Sequence, residues 1–259
     1  MRRPAGFPRL VFLFLALALA GCASVPPAAP EGVPAREQPA GQAATGEPVP
    51  REFPGAETYT VMGKESLVRI LVYRAGTLKS AGHNHLVASR DTHGLVYLHE
   101  DITKSGFDLV MPVNLLEVDS EELRSQEGPD FAAQVSDSAR QGTRKNLLSE
   151  AVLDGERFPA VTLSSVALEG TPGSLIAYTR IRLKDQEREL AIPVVLEKGP
   201  GHVIATGEID VRQSEFGMKP FSVMMGAVQV ADLLKVKFRV VAVADVANQG
   251  FNAANPAVN

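Results

Sequence analysis

The sequence of 259 residues lacks tryptophan and contains a single cysteine, Cys22. With one cysteine, the chain can form neither an internal disulfide nor a cysteine-based metal site. The sequence also lacks a dense run of lysine or arginine, and its formal net charge is -4. Because nucleic-acid binding requires a concentrated basic surface, we expect no nucleic-acid partner.

Motifs of several common enzyme classes are absent as well. The sequence contains no Gly-x-Ser-x-Gly elbow, no phosphate-binding glycine loop and no His-Glu-x-x-His helix. Acyl transfer and metal-dependent hydrolysis therefore lack a recognisable nucleophile or ligand set. We predict a binding protein rather than an enzyme, with no catalytic residues.

The N-terminal region carries the most specific signal in the sequence. Arg2 and Arg3 precede a short apolar run, residues 10–20, and the tetrapeptide Leu-Ala-Gly-Cys ends at Cys22. This order is typical of an export signal, and the run is shorter than the roughly 20 residues that cross a bilayer as a helix. The tetrapeptide resembles the lipobox of bacterial lipoproteins, in which the signal is removed and the cysteine is lipidated. A plain secretory signal with a coincidental cysteine is the alternative.

This resemblance implies a signal peptide over residues 1–21 and a membrane anchor of lipid, such as palmitate, on Cys22. Ala23 follows the cysteine, and no Asp stands there. By analogy with lipoproteins of enteric bacteria, this favours the outer membrane. We therefore expect a lipid-anchored protein of the cell envelope that faces the periplasm.

Composition divides the rest of the chain into three parts. Residues 22–56 are rich in Ala and Pro and nearly lack aromatic residues, so we predict a disordered tether. Residues 57–245 form the predicted domain, and residues 246–259 form a predicted disordered tail.

Strand patterns dominate the predicted domain. From Leu234 to Val240, apolar and basic residues alternate without a fault, which is typical of a sheet with one dry and one wet face. The predicted strands are 58–62, 66–73, 85–99, 107–113, 160–168, 175–183, 189–196, 202–211 and 228–243. Many strands with one helical interruption predict a closed antiparallel β-barrel of about eight strands, whose interior can enclose one elongated ligand.

The helical interruption covers residues 129–148. Asp130 is the predicted N-cap, and Phe131, Val135 and Ala139 recur at helical spacing. We predict that Gly142 ends this helix and that a second short helix follows over residues 145–149, capped by Thr143.

Three of the five histidines fall in one short segment, residues 78–97. On a strand, His83 and His85 would point to the same face. Such a pair can bind a metal ion, hold the polar head of a ligand, or form ordinary hydrogen bonds to the backbone. No cysteine and no tight acidic cluster accompanies the pair in sequence, so we predict no metal site.

In this order and spacing, several short segments resemble the YceI-like family of bacterial lipid- and polyisoprenoid-binding barrels. The segments are residues 72–76, 82–85, 146–148, 153–154, 157–161 and 212–217, the last reading Arg-Gln-Ser-Glu-Phe-Gly. The resemblance spans residues 59–243. Residues 181–185 depart from the family pattern, and the Gly-His-Asn-His form of residues 82–85 indicates a sub-branch.

The resemblance implies a lipocalin-like barrel that sequesters an amphiphilic lipid, such as an isoprenoid chain, outside the cytoplasm. No cofactor is expected apart from such a bound isoprenoid lipid, and a homodimer is compatible with the sequence. The predicted ligand-binding residues are His83, Asn84, His85, Phe158, Phe216, Met218, Phe221 and Met224. Ordinary barrel core is the other interpretation of the apolar members. Two other functions stay open: a periplasmic accessory that handles quinones or redox chemistry, and a histidine-based metal-binding enzyme.

Overall fold

The structure, a computed structural model, describes residues 51–245. The predicted signal peptide, Cys22, most of the predicted tether and the predicted tail lie outside the described residues. The described strands are Glu57–Val61 (β1), Leu67–Ala75 (β2), His85–Ser89 (β3), His93–Leu98 (β4), Gly106–Pro112 (β5), Glu117–Val118 (β6), Ala160–Thr171 (β7), Ser174–Leu183 (β8), Gln186–Gly199 (β9), His202–Arg212 (β10), Ser222–Val223 (β11) and Val228–Ala244 (β12). The two described α-helices are Glu121–Ser125 (α1) and Asp137–Leu148 (α2), and neither has the length and apolar character needed to cross a membrane.

Eight of these strands form a closed antiparallel barrel. They pair in the order β1-β4-β5-β7-β8-β9-β10-β12, and β12 pairs with β1 to close the ring. At the other end of β12, the partner is β2. β2 pairs in turn with β3, and β3 pairs with β6. The predicted fold class is confirmed.

The alternation in β12 sets which side chains face the interior. Leu234, Val236 and Phe238 line the inside of the barrel. The intervening Lys235 and Lys237 point outward and pair with acidic side chains, Lys237 with Glu127 at 2.7 Å. This is the arrangement that the alternating sequence predicts.

β2 and β3 differ from β12 because they are covered on both faces. Val68 and Ile70 face the barrel interior. On the outer side, Leu71 packs in a second, smaller core with Leu123 of α1 and Phe131. Burial on both faces explains why β2 reads as a nearly unbroken apolar run.

The helical prediction was wrong in its boundaries. Ser136 caps α2 by accepting from the amide of Ala139, and the helix runs unbroken through Gly142 to Leu148. Pro129–Phe131 forms a separate short 3-10 turn, so Asp130 caps nothing here. Gly142 is exposed on the helix surface, where a glycine lowers helix stability by only about 1 kcal/mol and does not end the helix.

Two further boundaries need correction. The predicted strand 85–99 is two strands, because Arg90–Thr92 forms a polar turn in which the hydroxyl of Ser89 accepts from the Asp91 amide. Residues 51–56, assigned to the tether, belong instead to the fold. Arg51 donates to Asp108 and to the Ser165 backbone oxygen, both at 2.8 Å. These contacts hold the segment against β5 and β7.

The wall of the barrel is continuous only in one half. β9 and β10 pair over Val195–Gly199 and His202–Thr206. Beyond Thr206 no described residue of β10 pairs with β9. At Gly207, a Cβ would lie 2.3 Å from the backbone oxygen of Pro193 and 2.4 Å from the ring of Phe238, so only glycine fits where the strands separate.

Candidate functional site

The barrel encloses an elongated apolar cavity of about 380 Å³. On β12, Val230 and every second residue from Leu234 to Val240 line it. At about 3.3 Å per residue, the stretch from Leu234 to Val240 alone is about 20 Å long. Alternate side chains of β2, β5, β7, β8, β9 and β10 complete the wall, and most are Val, Leu, Ile, Met or Phe. The cavity therefore has the shape and lining of a site for a long apolar chain.

The polar groups of α2 lie at one end of this cavity. Thr143 is half-buried, Asn146 is exposed, and both line the cavity together with Leu147. A residue that is exposed and also lines the cavity lies at its rim, so the cavity reaches solvent beside α2. His85, at the start of β3, also lines the cavity.

The structure brings half of the predicted ligand-binding residues to the cavity. His85, Phe216, Met218 and Phe221 line it. The other four, His83, Asn84, Phe158 and Met224, do not contribute to its lining.

Two of those four lie apart from the cavity for visible reasons. The ring of Phe158 lies 5.0 Å from the guanidinium carbon of Arg157. Met224 is 66% exposed, in a loop where it and Met225 both adopt left-handed backbone conformations.

Asn84 has a structural role between the two histidines. Its side chain is buried, accepts from the Arg74 amide at 3.0 Å and donates to the Asp130 backbone oxygen at 3.0 Å. Its own backbone oxygen accepts from Arg124 at 2.6 Å. These bonds fix the segment, so the flanking histidines are held in place.

His83 and His85 both point to Asp119, which lies directly after β6. Nδ1 of His85 is 2.7 Å from Oδ2 of Asp119, and Nε2 of His83 is 3.7 Å from the same oxygen. The two imidazole rings meet edge to face, with centroids 4.5 Å apart. The prediction that the histidines share a face is confirmed, although only His85 lies in the strand. The sequence around the pair contains no tight acidic cluster, but the fold brings the Asp119 carboxylate next to both histidines.

The Asp119 side chain is fully buried, and its charge is compensated. Oδ1 accepts from the Leu86 amide at 2.8 Å and from Nη1 of Arg124 at 2.7 Å. Burial by itself raises the pKa of Asp119. The hydrogen bond and charge of His85, the Leu86 amide and the charge of Arg124 outweigh burial and leave this pKa below its usual range.

His83 differs from its neighbour because its ring nitrogen has no partner. Nε2 is buried and makes no hydrogen bond within the described structure, since 3.7 Å to Asp119 is too long for one. Burial and the neighbouring charge of His85 lower the pKa of His83, while Asp119 opposes that change. The imidazole is therefore held in its neutral form at neutral pH.

Sequence reasoning missed three residues of this site. Asp119 and Arg124 lie 34 and 39 positions beyond His85, and no local pattern links them to it. Thr143 was taken as a helix cap, but it faces the rim of the cavity from the middle of α2. A strand pairing of residues 87–88 with 117–118 is the feature that brings Asp119 next to His85.

Comparisons with known proteins agree with this architecture. A family model described as "YceI-like domain" matches residues 59–242. The crystal structure of Burkholderia cenocepacia BcnA superimposes with a TM-score of 0.53 at 14% identity, covering 70% of this chain and 98% of that chain. At that identity, the likeness shows a shared fold.

Other solved structures match with lower TM-scores. A polyisoprenoid binding domain from Saccharophagus degradans, implicated in plant cell wall breakdown, gives 0.49 at 7% identity, over 72% of this chain and 98% of that chain. The Campylobacter jejuni YCEI protein gives 0.44 at 7% identity, over 60% and 81% respectively. No curated protein matches this chain significantly.

Proposed function

Because this chain belongs to the YceI-like family, whose model covers residues 59–242, we propose that its barrel holds an isoprenoid-type or similar amphiphilic lipid. The observation that carries the proposal is the cavity: an elongated apolar interior that opens beside polar side chains of α2. Such a shape suits a molecule with a long apolar tail and one polar head.

The tail would supply most of the binding free energy. Removing apolar surface from water contributes about 25 cal/mol per Å² and requires no specific polar contact. The cavity volume of about 380 Å³ lies within the range of about 300–1,000 Å³ that is usual for small-molecule sites.

The head would lie near α2 and the start of β3. There His85, Thr143 and Asn146 are the polar side chains nearest the rim. Nδ1 of His85 is bonded to the Asp119 carboxylate, which leaves Nε2 of that ring for a hydrogen bond with a hydroxyl group of the ligand. The mainly apolar lining of the cavity supports a binding role rather than catalysis.

Native mass spectrometry of the gently extracted full-length protein tests the proposal. We expect a retained lipid of defined mass, and rebinding of geranylgeraniol after delipidation, with palmitic acid as an unbranched comparison. Val236→Trp should fill the cavity and lower binding at least about 10-fold.

The matched control for that variant is Val195→Trp. Val195 lies between cavity-lining Val194 and Leu196 and is 42% exposed, so it points outward. Val195→Trp should bind geranylgeraniol as tightly as the unaltered protein does. The proposal fails if the protein carries no lipid and binds neither probe, or if both tryptophan variants bind equally well.

We further propose that the domain is held at the outer membrane, facing the periplasm, through lipid on Cys22. The support is the tetrapeptide Leu-Ala-Gly-Cys after a short apolar run, together with a neutral Ala23. Cys22→Ser should move the protein from the membrane to the soluble fraction of a cell lysate. Unchanged membrane retention of this variant would refute the anchor.

A further inference from the structure

Three side chains from two separate segments of the chain converge on one point at the α2 end of the barrel. His83, His85 and Asp119 each offer one ligand atom, and these atoms all lie within 4.8 Å of one another. From this geometry we propose that the three residues bind a divalent transition-metal ion that favours imidazole, such as Zn²⁺.

The distances fit an ion after small movements. With bonds of about 2.0–2.2 Å, the ligand atoms around Zn²⁺ lie about 3–3.5 Å apart. Here Oδ2 of Asp119 is 2.7 Å from Nδ1 of His85 and 3.7 Å from Nε2 of His83. The first separation must widen and the second narrow by about half an ångström or less, and the two histidine nitrogens, which lie within 4.8 Å of each other, must also reach this spacing. Rotation of the two imidazole rings, which meet at 61°, changes all three separations.

The Asp119 carboxylate is held by hydrogen bonds in the way that the carboxylate ligands of metal sites are held. Oδ1 of Asp119 is held by the Leu86 amide and by Arg124, so Oδ2 alone faces the histidines. Ligating carboxylates in metal sites are oriented by hydrogen bonds of this kind. The backbone of Asp119 adopts φ 52°, a left-handed conformation that is uncommon for residues other than glycine. Such conformations concentrate at functional sites.

The unpaired nitrogen of His83 is the second observation that points to a ligand. Nε2 is buried without a hydrogen bond, and buried polar atoms in folded proteins nearly always have a partner. A metal ion supplies that partner. The hydrogen bonds of Asn84 hold the backbone so that the flanking rings keep this position.

Charge sets the expected strength of the site. Arg124 pairs with Asp119 at 2.7 Å and offsets part of its negative charge. The carboxylate therefore stabilises a bound ion less than an unpaired carboxylate would, and we expect micromolar rather than nanomolar affinity. Three protein ligands leave at least one position open. His85 lines the cavity, so that position is next to the cavity end where Thr143 also lies.

Metal binding to the full-length protein, with Zn²⁺ or Co²⁺ alone as the probe, tests the proposal without any lipid. After chelator treatment, calorimetry should show one Zn²⁺ per chain, and Co²⁺ should give visible d–d absorption. His83→Ala should lower the affinity for Zn²⁺ and for Co²⁺ at least about 100-fold, because loss of a direct ligand costs at least as much affinity as loss of a residue that only orients a ligand. The His83 side chain is 28% exposed and its Nε2 makes no hydrogen bond with residues 51–245, so its removal should leave the fold intact.

The control is His202→Ala. His202 lies at the opposite end of the barrel, beside the β9–β10 turn, where its ring pairs only with the Pro200 backbone oxygen. This variant should bind Zn²⁺ as the unaltered protein does, and Zn²⁺ should raise the melting temperature of both but not of His83→Ala. The proposal is overturned if the unaltered protein binds no stoichiometric Zn²⁺, or if His83→Ala and His202→Ala bind it equally. Neither result would affect the lipid proposal, which the lipid measurements decide separately.

Discussion

The two halves of the barrel share the long strand β12 but are packed differently. On β12, Ala242 is 1% exposed and packs with Tyr59 and Val203 in a dense cluster. A few residues earlier on the same strand, Val236 also points inward but is only half-buried, because it faces the cavity. Residue type and periodicity are alike in both halves, so the difference arises from what lies opposite.

Strand pairing explains the contrast. In the dense half, β1 joins β12 to β4 and closes the hydrogen-bonded ring. In the hollow half, β9 has left β10, and β2, β3 and β6 replace β1 and β4. The hydrogen-bonded ring is incomplete there, and Val236 faces the cavity instead of a packed cluster. A closed ring of strands stabilises the protein, and an incomplete one leaves room for a ligand.

The largest predicted effect concerns the buried carboxylate on the outer side of the barrel wall. Asp108 has an 8% exposed side chain and is paired with Arg51. Arg51→Ala should lower the free energy of unfolding by about 2–3 kcal/mol, because it leaves Asp108 buried without its partner. Urea denaturation measures this loss.

Lys64→Ala is the control for that variant. Lys64 pairs with Asp91 but its side chain is 80% exposed, so the change should cost less than about 0.5 kcal/mol. Equal losses in the two variants would show that residues 51–56 are not part of the fold.

An identical substitution in each half tests the comparison directly. Val203→Ala should destabilise the protein by about 2 kcal/mol, because it opens a void in a packed cluster. Val236→Ala should cost less than about 1 kcal/mol, because Val236 already faces a cavity. Both values come from urea denaturation of delipidated protein. If the two losses are the same, the halves do not differ in packing.

The smallest predicted effects come from one glycine in each half. Gly142→Ala should stabilise the protein by about 0.5–1 kcal/mol, because Gly142 lies in the interior of α2 with open space around it. Gly201→Ala should instead destabilise it by about 1 kcal/mol. Gly201 also has open space around it, but its φ of 69° favours glycine. Thermal denaturation of the two variants should give shifts of opposite sign, and shifts of the same sign would contradict the prediction.

Much of the barrel could be predicted because its signal is local. Alternation in β12 reports which side chains face inward, and that depends only on the two-residue period of a strand. The unbroken apolar run of β2 also has a local cause, since both faces of that strand are covered. The family resemblance, read from short segments in order, is confirmed by the match over residues 59–242.

The candidate site was only partly predictable because its contacts are not local. The pairing of His85 with Asp119 depends on β6 joining β3, and a strand of two residues leaves no pattern in the sequence. The helix boundary was missed for a different reason. Glycine is common just after the end of a helix, but six residues of α2 follow Gly142, and four of them have good helix propensity. Arg51 lies in a segment whose composition is typical of a linker, and only its long-range bonds to Asp108 and Ser165 reveal that it belongs to the domain.

The position of Arg51 also has a mechanical consequence. A pull on the chain from its N-terminal side reaches Arg51 before it reaches β1. The guanidinium group is bonded to Asp108 of β5 and to the Ser165 backbone oxygen of β7, two neighbouring strands of the wall. The load therefore passes first to two neighbouring strands, before it reaches the hydrogen bonds between β1 and β4.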